Sequence, residues 1–253
     1  MPSPTRVLFV ASEATPFTDA SEVADLARRL PEKLQETGAF EMRIMMPRYG
    51  TISERRNRLH EVIRLSGAEL AVGEGKEVLK VKVASIPGLR LQVYFMENAR
   101  FFKRKGTFSG RDGEEWDDNA ERALFFGRAA LTTIRNLGWS PDLVHGIGWA
   151  SAFVPYLVAH DFKDDALLGR AKTIYTPDGF DAQTPFDPAL LASHGVSAPV
   201  GEAATLRALA EHHADALLFP ASASEQPRLP ADPDALVAEA TARYEAVLGP
   251  VPA

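Results

Sequence analysis

The sequence predicts a single α/β domain, a doubly wound parallel sheet with an antiparallel hairpin insertion, on three observations. The run from Arg6 to Ser12 is almost wholly apolar, with β-branched and aromatic members, as a strand buried on both faces requires. Val23, Leu26, Ala27, Leu30 and Leu34 follow at helical spacing, and "EMRIMMP" at 41–47 reads as a second strand. Such a β-α-β unit is normally parallel with a right-handed crossover. Residues 68–97 then switch to a period of two, which marks the insertion.

Within that insertion Leu79, Val81 and Val83 alternate with Lys80 and Lys82, and Leu91, Val93 and Phe95 alternate with Arg90, Gln92 and Tyr94. "GEGK" at 73–76 and "PG" at 87–88 supply turns, so the spacing predicts a local antiparallel meander. The helical period returns in "WDDNAERALFFGRAALTTIRNLGW". There Asp117 or Asp118 is the N-cap, Leu124, Leu131 and Ile134 help form the buried face, and Gly138 supplies the stop. Strand "DLVHGI", a helix over 150–160, strand "KTIYT" and a loop rich in Pro and Gly come next. A helix over 202–213, strand "DALLFPA" and a final helix over 233–247 complete the pass. With no repeat and no linker composition, residues 1–253 read as one domain.

Composition narrows the function. The 253 residues are 45% hydrophobic and 25% charged, the balance of an ordinary globular protein. A net charge of -6 argues against nucleic acid or an acidic membrane surface, both of which need clustered cations. The densest basic run, Lys103-Arg104-Lys105, reads as solvated surface. Without cysteine there is no disulfide, thiolate metal site or Cys nucleophile. The start lacks a signal-peptide pattern, and no apolar run approaches the roughly 20 residues of a membrane span. A cytoplasmic protein without cofactor or metal is the expectation.

In doubly wound sheets, ligands bind beyond the carboxyl ends of the parallel strands. The loops after Ser12, Val144 and Thr176 therefore matter most. The first, "ATPFTDASEVADL", has no glycine, and Asp19 with Glu22 resembles a capping box, Asp19 as N-cap and Glu22 at the third helical position. A helix start capped by its own carboxylate offers little to a phosphate. The second loop carries Gly146-x-Gly148, but Ser151 stands at the third glycine position, so a tight strand-to-helix turn is the better reading. His145 is read as a hydrogen-bonded residue at a strand end. In the third, "TPDGF" is itself a good turn sequence.

Other constellations are weaker. Ser12 has no nucleophile-elbow glycines around it. His212 and His213 are adjacent near a helix end, so they face different ways and chelation is disfavoured. Asp178 and Asp181 with Glu13 offer a carboxylate pair for glycoside hydrolysis, against the plainer reading of solvated loop carboxylates. Trp116, Trp149, Tyr175 and Phe180 include sugar-stacking candidates, although core packing is the default for each.

"VLFVASEATPF", "MPRYG", "DDNAERALFFGRAAL", "LGWSPDLVHGIGWASAFVPYL" and "ADALLFPAS" together resemble the N-terminal half of bacterial glycogen and starch synthases. The resemblance covers nearly the whole chain. It is closer still to a short, single-domain, synthase-like group of Bacteroidetes-type bacteria, with "RYGTISERRNRLHEVIRLSG" the most telling stretch. It implies a Rossmann-like domain, the N-terminal half of a GT-B glycosyltransferase. Family enzymes move glucose from ADP-glucose to the end of an α-1,4-glucan, and they hold the nucleotide mainly in a second, C-terminal domain. This chain ends at "VLGPVPA", about where that domain would begin, so its absence is expected.

The chain departs from the family at the chemistry. In the family's Lys-x-Gly-Gly-Leu, the Lys and glycine amides meet the sugar-nucleotide phosphates. Here that Lys falls on Asp19 and the glycines fall on Ser21 and Glu22. The family's His-x-His-Asp-Trp reads His145-Gly146-Ile147-Gly148-Trp149, so the second His and the Asp are missing, and the resemblance implies a sugar-hydroxyl ligand at His145 as the alternative to the favoured strand-end role. The family's His-Asn, whose His is catalytic and contacts sugar, falls on Asp178-Gly179. The expectation is a degenerate domain without glucosyl transfer of its own and with no catalytic residue retained. It would bind α-glucan or regulate storage-polysaccharide metabolism, with a separate protein partner or as a homo-oligomer. The alternatives are an active half completed by a partner chain, or a structural or assembly protein on a borrowed fold.

Overall fold

Strand β1 (Thr5–Ala11) is buried from Val7 onward because it has a strand on each side. In this computed structural model, the residues described are 3–19, 21–72, 75–187, 192–193, 195 and 205–249. Helix α1 (Glu22–Glu36) carries the chain over to β2 (Phe40–Pro47), which pairs parallel with β1. On the other side β8 (Leu143–Ile147) also runs parallel to β1, followed by β9 (Lys172–Thr176) and the short β10 (Ala216–Leu217). Among the described residues the sheet order is β10-β9-β8-β1-β2-β7-β6-β3. The order reverses between β1 and β8, and that is the point where a doubly wound sheet opens its ligand crevice.

The insertion differs from a single meander. Strands β6 (Lys80–Ser85) and β7 (Gln92–Glu97) form one hairpin, and β7 joins the main sheet parallel to β2. The two-residue β3 (His60–Glu61) pairs antiparallel with β6 and closes that edge. Strands β4 (Glu69–Val72) and β5 (Gly75–Val78) form a separate two-stranded sheet, with the first half of the expected "GEGK" turn outside the described residues. Two short helices, α2 (Glu54–Asn57) and α3 (Ala99–Phe102), flank the insertion.

Helix α4 (Asn119–Leu137) ends at Gly138, whose φ of 68° lets it close the last turn. Asp118 occupies the N-cap position, yet its carboxylate binds Arg104 instead of capping the helix. The helix expected over 150–160 is split into a 3-10 turn at Trp149–Ser151 and α5 (Val154–Ala159). Pro155 explains the break, because it has no N–H to continue a helix begun at Trp149. After α6 (Phe180–Gln183), the next helix, α7 (Leu206–His213), is capped by Thr205, whose hydroxyl accepts from the Ala208 amide at 3.2 Å. The expected start of that helix at 202 lies outside the described residues. "DALLFPA" is strand only at Ala216–Leu217, although Leu218 and Phe219 remain buried. The final helix α8 (Pro233–Leu248) starts on Asp232, which accepts from the Ala235 amide at 2.9 Å. It packs against α1, while α4 and α5 pack together, and the sheet lies between these pairs.

Candidate functional site at the carboxyl ends of the sheet

The crevice between β1 and β8 is bridged by the chain itself. The Ser12 amide donates to the Ile147 carbonyl at 2.8 Å, so pairing continues past the end of β1. Beyond it Gly148 turns with φ 79°, and a β-carbon there would lie 2.6 Å from Ser12 Oγ and 2.7 Å from Asp178 Oδ2. Glycine is therefore demanded by both conformation and space. This turn aims the first amides of the following 3-10 segment into the crevice, where an anion would ordinarily be received. Both amides are occupied from within. Trp149 N–H donates to Asp178 Oδ2 at 2.9 Å, and Ala150 N–H donates to Ser12 Oγ at 2.8 Å.

Asp178 has a second task. Its Oδ1 accepts from the amides of Phe180 at 3.1 Å and Asp181 at 3.4 Å, so one carboxylate caps both the Trp149 turn and α6. Gly179, at φ 90°, makes the bend between them. Burial, and then the neighbouring Asp181 carboxylate, push Asp178 up from 3.8 to about 7 against the pull of those backbone donors. Asp181 is fully buried, and the Tyr175 hydroxyl donates to it at 2.6 Å. A substrate cannot reach it, which removes the carboxylate pair considered with Asp178 and Glu13.

His145 is sealed. Its side chain is fully buried, with Nδ1 2.7 Å from the Tyr244 hydroxyl and Nε2 2.8 Å from the Thr176 hydroxyl. With both nitrogens engaged, it ties β8 to β9 and α8. Burial lowers it from 6.5 to about 3, so it is a neutral structural imidazole near pH 7. Trp149 is likewise core: Arg122 lies 5.1 Å from its ring, itself fully buried and donating to the carbonyls of Phe101 at 2.9 Å and Thr107 at 2.7 Å.

In the first loop the cap is Ser21, not Asp19. Ser21 is extended (φ -138°, ψ 164°), and its hydroxyl accepts from the Ala24 amide at 3.1 Å, while Asp19 lies exposed. Serine caps as well as aspartate does, and the register of α1 selects it. Glu22 is then the first helical residue instead of the third, and its carboxylate accepts from the amide and hydroxyl of Ser222. Glu13 is pushed up by burial, while hydrogen bonds from Thr107 and Ser21 pull the other way. Asp25 accepts from the Thr15 hydroxyl at 3.1 Å. The start of α1 is thus surrounded by carboxylates.

The structure gathers His145, Gly148, Trp149, Asp178 and Gly179 with Ser12 at the carboxyl ends of β1, β8 and β9. Asp19, Ser21 and Glu22 stand at the start of α1. Of the four aromatics considered, Trp149 and Tyr175 are core, and Trp116 is half-buried with Arg104 5.3 Å from its ring. Phe180 is 44% exposed, stacked on Phe108 at 4.6 Å. His212 and His213 lie edge to face at 4.7 Å, with His160 5.1 Å from His213. Sequence reasoning missed the capping role of Ser12 and the partners Thr176 and Tyr244, whose contacts with His145 span 31 and 99 residues. Arg122 did leave a signal, as a cation on the apolar face of α4.

Residues 6–217 match the family described as the starch synthase catalytic domain. The chain belongs to this family. Its relatives include the glycogen synthase of Chlorobium limicola, 39% identical over 172 residues, which are 68% of this chain and 35% of that protein. The glycogen synthase of Chlorobaculum parvum is 37% identical over 190 residues, 75% of this chain and 39% of the relative. The chain therefore spans little more than a third of these curated relatives. Among solved structures, the catalytic domain of starch synthase IV from Arabidopsis thaliana, bound to ADP and acarbose, superposes with a TM-score of 0.68 at 20% identity. That match covers 85% of this chain and 45% of the plant domain, and it establishes the shared glycosyltransferase fold. Among the described residues no helix is long and apolar enough to cross a membrane.

Proposed function

We propose that this starch-synthase-family chain does not itself transfer glucose and instead binds α-glucan, as an accessory or regulatory component of storage-polysaccharide metabolism. The observation that carries the reading is the occupied crevice. The Trp149 and Ala150 amides, which face the ligand position of a doubly wound sheet, are held by Asp178 and Ser12. A nucleotide sugar would have to displace a hydroxyl and a carboxylate that satisfy those amides.

The start of α1 supports the same reading. Where the family places a lysine and two glycines for phosphate, this chain has exposed Asp19, the cap Ser21 and the engaged Glu22. A like-charge contact at about 4 Å costs roughly 1 kcal/mol in water and several times that when partly buried. Glucan binding is supported by the Phe180 ring, which is exposed next to the Asp178 turn and braced by Phe108. An aromatic face held in this way suits the apolar face of a glucose unit.

Two assays test the two halves. Purified protein with labelled ADP-glucose and glycogen should incorporate no label above a blank, and clear incorporation sinks the non-transferring reading. In a native gel cast with glycogen the chain should be retarded, and Phe180→Ala should restore most of its mobility. Unretarded wild type removes the glucan assignment and favours a structural protein on this fold.

A further inference from the structure

Far along the sheet order from the crevice, the β3–β6 edge carries a cleft of about 790 Å³ that the family chemistry does not account for. Its walls are α2, β3 and the β6–β7 turn, and Phe17 reaches it from the loop after β1. Its charged and titratable lining consists of Arg56, Arg58, His60 and Arg90, with no carboxylate among the described lining residues. In a chain of net charge -6 this is unusual local chemistry. Nearby Arg48 and Lys82 are both paired with Glu54 and Glu97. The guanidinium groups of Arg56, Arg58 and Arg90 make no ion pair or hydrogen bond among the described residues. Arg90 also borders a smaller hollow containing Glu32 and Glu36, but those carboxylates are paired with Arg28 and Lys33.

Backbone conformation singles out Arg58. It is the one non-glycine among the described residues with a positive φ, 52°, and it ends α2 in the left-handed conformation. Glycine or asparagine normally takes that position, because a β-carbon is crowded there. Retaining arginine against this preference makes sense if its side chain is wanted in the cleft.

We propose that this cleft binds a small organic phosphate monoester. Guanidinium forks match phosphate oxygens in pairs, and the planar group is less strongly hydrated than an ammonium. The volume falls in the range of small-molecule sites. Val83, Pro87 and Leu89 among the lining give an organic body an apolar surface, which inorganic phosphate would leave unused. A compact basic cleft on an acidic chain also favours a small molecule over a nucleic acid, which needs an extended basic stripe. The inference is independent of the glucan reading, since neither Asp178 nor Phe180 lines this cleft.

Calorimetric titration of the whole chain with phenyl phosphate, inorganic phosphate and benzoate, in low salt, tests it. Phenyl phosphate should bind more tightly than either comparator. Arg58→Gly should weaken phenyl phosphate about tenfold or more, the value of one or two charge-assisted hydrogen bonds. The same variant should melt at or above the wild-type temperature without ligand, since glycine fits the left-handed position. An Arg56→Ala, Arg90→Ala double variant should lose binding altogether. Absence of phenyl phosphate binding, equal affinity for either comparator, or retention of affinity within twofold in Arg58→Gly overturns the proposal. A lower melting temperature for Arg58→Gly would also overturn it, by showing that the arginine serves the fold.

Discussion

At the crevice between β1 and β8, the Trp149 and Ala150 amides are held by Asp178 and Ser12, and both nitrogens of His145 are bonded. In the cleft beyond β6, Arg56, Arg58 and Arg90 face open volume with no carboxylate lining it among the described residues. The two regions differ in what the chain has done with its polar groups. Burial demands that donors and acceptors be satisfied, and a chain that closes a crevice must supply the partners itself. A site kept for a ligand leaves its donors available. By this criterion the inherited crevice is closed, and the basic cleft is open.

The largest expected effect is at His145. His145→Ala would leave the Tyr244 and Thr176 hydroxyls buried without their partner and open a cavity. The loss of stability in urea unfolding should be roughly 3–5 kcal/mol. A loss below about 1 kcal/mol would show that the imidazole is not integral to the closure. Because His145 is held near 3 against 6.5 when unfolded, its contribution is complete above pH 6.5 and declines as pH falls toward 3.

Asp178 should act in the opposite sense with pH. Its folded value of about 7 lies above the ordinary 3.8, so between them the folded state binds the extra proton. Wild type should therefore lose stability relative to Asp178→Asn as pH rises from about 4 to about 7. Parallel unfolding midpoints for the two proteins across that window would show that the carboxylate is not buried as described. The smallest effect separates neighbours: Ser21→Ala should cost about 1 kcal/mol, and Asp19→Ala should change thermal stability by less than about 0.5 kcal/mol. The reverse order would return the cap of α1 to Asp19.

How much of this was legible in the sequence depends on the distance over which each feature is determined. β1, β2, α1 and the stop at Gly138 follow from local periodicity and turn chemistry, and the structure keeps them. The helix expected over 150–160 broke because Pro155 removes a donor, a local fact that the apolar pattern around it outweighed. At α1 the pattern showed that a capped start was present, but Asp19 and Ser21 are both competent caps, and only the helix register decides between them. The closure of the crevice was not legible. It depends on Asp178 meeting an amide 29 residues earlier and Ser12 meeting one 138 residues later. No periodicity encodes such pairs. The basic cleft was hidden for the same reason, because Arg90 is far in sequence from Arg56 and Arg58 and joins them only through the β6–β7 hairpin and β3.

The most direct test of the closed crevice is calorimetric titration of ADP-glucose into the Arg58→Gly protein, in which the basic cleft is weakened. The closed crevice predicts no saturable heat. Saturable binding of ADP-glucose that Asp178→Ala abolishes would contradict it, and would place a working nucleotide-sugar site where the chain has been read as its own ligand.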